Sequence, residues 1–77
     1  LPYGLVVVEV QILSALQKRG SCSLQMLSAI TGMSRQAIQL EAENNLLRKG
    51  FMEIDGKRKI TTRGTDILKA IKVWNNI

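Results

Sequence analysis

The stretch Leu27-Ser28-Ala29-Ile30-Thr31-Gly32-Met33-Ser34-Arg35-Gln36-Ala37-Ile38 constrains this chain most. An apolar helix must stop at Gly32, which can adopt the positive φ of a tight connection at no steric cost. Ser34 then opens a second helix, because its hydroxyl can accept from the free backbone N–H groups of the first turn. The first buried side chain of that second helix is Ile38. The polar side chains Arg35, Gln36 and Gln39 at the start of the second helix are left to face a partner.

The remaining elements follow from periodicity. Residues near 5 to 19 read as a helix, with Val8, Ile12, Ala15 and Leu16 at helical spacing and Gln17-Lys18-Arg19 suited to a C-terminal turn before Gly20. Ser23 caps a short helix whose apolar face is Leu24, Leu27 and Ile30. The helix from Ser34 runs to about Lys49, with Ile38, Ala42 and Leu46 inward at i, i+4, i+8. That placement turns Glu43 outward, on the same broad side as Gln36 and Gln39. Phe51-Met52-Glu53-Ile54 and Lys57-Arg58-Lys59-Ile60-Thr61 flank Asp55-Gly56, a two-residue hairpin signal. In that register Glu53 lies across from Arg58, and Phe51 across from Ile60. Thr61 or Thr62 caps a last helix carrying Ile67, Leu68, Ile71 and Trp74. The expected fold is mainly α with a small β-hairpin, in the order helix, helix, helix, hairpin, helix, as a single domain over residues 1–77.

Composition narrows the chemistry. The chain carries eleven Lys and Arg against six Asp and Glu, a net charge of +5, which suits a polyanionic partner or a solvated basic surface. It has no His and one Cys, Cys22. The commonest general base, the commonest metal ligand and any internal disulfide framework are therefore excluded, and a reducing compartment is the natural setting. The carboxylates are scattered over four elements and form no acid/base pair. An enzyme is not expected, nor a cofactor or a metal. The run Leu5-Val6-Val7-Val8 is too short to span a membrane and is interrupted by Glu9. No basic segment precedes it, so it does not read as a signal peptide. Met26, Met33 and Met52 read as fillers of a small core. Cys22 is placed at the start of the second helix, as a buried thiol or a redox-sensitive one.

Three segments together resemble the winged helix-turn-helix domains of MarR-like and ArsR-like transcription regulators. They are Leu27 to Ile38, the exit Leu46-Leu47-Arg48-Lys49-Gly50-Phe51, and the return Ile60-Thr61-Thr62-Arg63-Gly64. The resemblance implies a sequence-specific regulator of transcription that binds double-stranded DNA. Helix 34–49 would enter the major groove through Ser34, Arg35, Gln36 and Gln39. The wing, residues 51–61, would meet the backbone through Lys57, Arg58 and Lys59. Leu40 stands where the family often has a basic or polar residue, and Glu41 and Glu43 are acidic, so that a carboxylate facing phosphate would be repelled. They favour an alternative, a winged helix used for protein interaction inside a larger assembly.

Apolar residues surround the first helix, and a small monomer has little room to bury them. Leu5, Val6, Val10 and Leu13, with Val73 and Trp74 at the other end, are expected at a homodimer interface. The other outcome is packing of both ends within one monomer. Leu40 and Leu47 share a stripe beside the core face, facing the wing, the first helix or another subunit. A cytoplasmic, nucleoid-associated protein is the setting that a DNA reading implies.

Overall fold

In the computed structural model the described residues are 4–75, with side-chain surroundings given for 4–73. Helix α1 (Val7–Arg19) opens with Glu9 reaching back, its Oε1 accepting from the Val6 N–H at 2.9 Å. It ends where the Gly20 N–H donates to the Leu16 carbonyl. Helix α2 (Leu24–Thr31) is capped by Ser23, whose Oγ accepts from the Met26 N–H at 3.1 Å. Gly32 follows in the left-handed region at φ 75°, as the turn requires. Side chains then lock the turn: Ser28 Oγ donates to the Met33 carbonyl at 2.6 Å, and the Met33 N–H donates to Thr31 Oγ1 at 3.2 Å.

The third helix is one rod in three segments, α3 (Arg35–Ala37), a π-helical stretch (Ile38–Glu43) and α4 (Asn44–Arg48). Ser34 caps it by accepting from the Ala37 N–H at 3.1 Å. The inward stripe Ile38, Ala42 and Leu46 is buried as expected. Strands β1 (Met52–Asp55) and β2 (Lys57–Ile60) form an antiparallel hairpin. Helix α5 (Thr62–Asn75) follows, with Thr61 Oγ1 accepting from the Gly64 N–H. Mainly helical, with one two-stranded wing, the architecture is the expected winged helix-turn-helix.

The core joins all of these elements. Ile12, Leu13 and Leu16 of α1 meet Leu27 of α2, Ile38 and Leu46 of the third helix, and Leu68 and Ile71 of α5, all fully buried. Leu5 and Leu13, expected at a subunit contact, belong to this interior, so the single chain already covers them. Val6 and Val73 remain exposed and Val10 is half-buried. The Trp74 side chain lies outside the described surroundings. Met26 is exposed rather than a core filler, whereas Met52 is buried. Leu40 is 63% exposed, and Leu47 is also exposed.

The hairpin register differs from expectation by one residue. Met52 pairs with Ile60, Glu53 with Lys59, Ile54 with Arg58 and Asp55 with Lys57, which leaves Gly56 alone at the tip with φ +73°. A one-residue slip changes which side chains share a face. The observed register sets Met52 and Ile60 together on the inner face, whereas the expected one would have placed Met52 against Lys59. Burial of Met52, with the half-buried Ile60 across from it, favours the slip. Cys22 reinforces it from outside the hairpin: its N–H donates to the Arg58 carbonyl at 3.0 Å, and its carbonyl accepts from the Arg58 N–H at 2.8 Å. Cys22 therefore sits just before the α2 cap, as a buried thiol in a strand-like bridge.

Candidate nucleic-acid interface

The first turn of the third helix presents the expected polar edge. Ser34, Arg35, Gln36 and Gln39 are all exposed. The Ser34 oxygen is engaged as a cap acceptor, but its hydroxyl hydrogen is still free to donate. Arg35 offers a planar fork of donors, and each Gln offers one donor group and one acceptor on its amide.

Glu43 does not lie on that edge. It is 3% exposed, and it holds Arg58 through two contacts, Arg58 Nε to Oε2 at 2.6 Å and Arg58 Nη2 to Oε1 at 3.3 Å. The π-helical stretch accounts for the change. Its hydrogen bonds run from i to i+5, so residue 43 lies closer to the face of residue 38 than an α-helix would place it. Ile38, Ala42 and Glu43 then face inward together.

Arg58 is consequently removed from the exposed face of the wing. Its side chain is only 13% exposed, and its backbone is held by Cys22. Lys57 and Lys59 do remain exposed. They share the outer face of the hairpin with Glu53 and Asp55, directly across the strands. Lys59 Nζ lies 4.0 Å from Asp55 Oδ2. The outer wing face is thus a balanced ladder of two acids and two bases, not a run of three free cations. The alternation of Met52 with Ile54 on one strand, and of Arg58 with Ile60 on the other, was the available sequence signal for this arrangement.

A second buried carboxylate braces the same helix from behind. Glu9 Oε2 accepts from Asn45 Nδ2 at 2.6 Å, which ties α1 to α4. Nothing in the spacing of residues 9 and 45 announces that contact. Among the described residues no buried side-chain nitrogen or oxygen lacks a partner. None of their His, Cys, Asp and Glu side chains gather in a group that could hold a metal ion. No helix among them is long and apolar enough to cross a membrane.

The geometry agrees with comparisons to known proteins. A solved structure from Bordetella bronchiseptica, described as the mechanism for regulation of DNA binding of BpsR by 6-hydroxynicotinic acid, superposes with a TM-score of 0.84 at 15% identity. The match covers 97% of this chain and 58% of that one, so the chain spans little more than half of that protein's length. At this identity the likeness establishes the fold alone. No curated protein matches. The model of the RuvB C-terminal winged helix domain matches residues 2–69. Neither comparison assigns the chain to the MarR-like or ArsR-like subtype. The chain belongs to the family of the RuvB C-terminal winged helix domain.

Proposed function

We propose that this domain is a binding module for double-stranded DNA, not an enzyme. The start of the third helix enters the major groove, and the wing flanks it on the backbone. The observation that carries the reading is the burial of Glu43. The carboxylate that would have repelled phosphate from this helix is neutralised inside by Arg58, while Arg35, Gln36 and Gln39 stay exposed. Arg35 is suited to guanine, and the two Gln side chains to adenine. Glu41 is still exposed farther along, which limits the contact to the first turn and a half. Lys57 and Lys59 serve the phosphates once Lys59 turns away from Asp55. The DNA-binding context of the Bordetella structure's description is consistent with this role, and regulation of transcription on the nucleoid is its natural use.

Pairing of two copies loses Leu5 and Leu13 to the core, so the proposal is made for the single domain. Sedimentation at micromolar concentration checks this. A particle of twice 8.6 kDa would restore a contact through Val6, Val10, Val73 and Trp74.

The test is an anisotropy titration on random and selected duplexes at two salt concentrations. Replacing Gln39 with Ala should cost about 1–3 kcal/mol on the selected site and little on random DNA. Replacing both Lys57 and Lys59 with Ala should flatten the salt slope by roughly 1–2 units. No salt-dependent binding by the wild type would overturn the reading. The charge-balanced wing and the exposed Leu40 and Leu47 would then favour a protein-interaction module.

A further inference from the structure

A groove of about 500 Å³ lies between α1 and α2. Its apolar wall is Val7, Val10, Ala15 and Ile30. Val7 is 65% exposed and Ile30 36%, while Val10 packs against the core. Gln11 and Ser14 lie midway along α1, and Lys18 and Arg19 close one end. No acidic side chain lines it. Glu9, the one acid of α1, is turned inward to Asn45.

The geometry points to this groove as a docking site for an amphipathic helix of a partner protein, with apolar residues at i, i+4 and i+7 and carboxylates at one end. Charge complementarity selects that occupant. The cations stand together at the end of the groove, and an apolar helix with a terminal acid satisfies both halves at once. Val7 and Lys18 are separated along α1 by about 16 Å at the helical rise, the span of three turns.

A second copy fits less well. Two α1 helices paired antiparallel would press Lys18 and Arg19 of each copy onto the other's Val7 end, where no carboxylate waits. Paired parallel, they would set cations against cations. Either arrangement desolvates charge without compensation. A phosphate backbone would meet the cations but leave Val7 and Ile30 facing an anion.

The inference stands apart from the DNA reading, since it uses none of the residues assigned to DNA. It is tested on the whole chain with two labelled 14-residue helical peptides, Leu at i, i+4 and i+7, one ending in two Glu and the other in two Lys. Anisotropy should show micromolar binding of the Glu peptide and at least tenfold weaker binding of the Lys peptide. The K18E/R19E double variant should reverse that order, and I30E should weaken both, with helical content and melting checked by circular dichroism. Equal binding of the two peptides, or binding of neither, overturns the proposal. So does displacement of the Glu peptide by duplex DNA, which would make the groove a phosphate site. A wild-type dimer dissolved by I30E would assign the groove to a second copy and overturn it as well.

Discussion

Glu9 and Glu43 are both 3% exposed, and both brace the third helix, yet they are held by different means. Glu43 faces a cation, and the pair with Arg58 carries no net charge. Glu9 faces two neutral donors, the Val6 N–H at 2.9 Å and Asn45 Nδ2 at 2.6 Å. Its charge is compensated by position, since it sits in the first turn of α1 where the free N–H groups are partly positive. Glu9 thus does local work, closing the start of a helix, and extends one contact to α4. Glu43 does only long-range work, joining the third helix to the wing. The same residue type buried to the same degree can therefore leave very different debts when it is removed. Loss of Glu43 strands a buried guanidinium, whereas loss of Glu9 strands two neutral donors.

The largest expected effect follows from that asymmetry. Glu43→Ala should destabilise the domain by about 3–5 kcal/mol, the cost of an uncompensated buried charge. Urea unfolding measures it, and a loss below about 1 kcal/mol would mean that Arg58 simply swings into water, as a surface pair does. Replacing both partners, Glu43→Leu with Arg58→Met, should recover most of the loss, because an apolar pair of similar volume replaces a buried ion pair at little net cost.

Glu9→Ala should cost less, about 1–3 kcal/mol for donors left without an acceptor. Amide exchange at Val6 and Val10, the start of α1, should accelerate while the wing is unaffected. If exchange instead rises first in the wing, Glu9 and Glu43 are not independent braces and the comparison fails.

The smallest effect is expected at the wing surface. Asp55→Asn removes the acid 4.0 Å from Lys59 on an exposed face, and stability should change by less than about 0.5 kcal/mol. Affinity for random duplex at low salt should nevertheless rise, because the ladder loses one repelling charge. An unchanged affinity would show that the outer wing face does not approach the duplex. Arg58→Ala sharpens the contrast between the two faces of the hairpin. It should lower stability and leave the salt slope as it is, since Arg58 is already spent on Glu43.

Much of this was legible beforehand, for reasons that can be named. The caps Ser23, Ser34 and Thr61 act within three residues of themselves, so their roles are written locally. The stripe Ile38, Ala42 and Leu46 survived even a π-helical interruption, because four-residue steps keep it near one face. The exposure of Arg35, Gln36 and Gln39 came with that stripe. Glu43, only one residue from Ala42, had its direction set by the π turn and by a partner fifteen residues away. Leu5 and Leu13 lie inside the single chain for a related reason. A helix that looks apolar on too many sides is covered when several elements converge on it, and the sequence does not say how many will.

Sequence alone determined the order of the elements, the caps of the helices and the polar edge of the third helix. Period and capping are properties of neighbouring residues, and these residues obey them. Only the tertiary structure decided the hairpin register, because an Asp-Gly turn admits more than one, and the burial of Met52 opposite the half-buried Ile60 selected among them. The same choice fixed the fate of the charges. In this register Arg58 turns in to Glu43, and Lys57 and Lys59 turn out beside Asp55 and Glu53. A side chain's charge is given by its identity, but whether it is spent inside or offered outside depends on which strand face the packing buries.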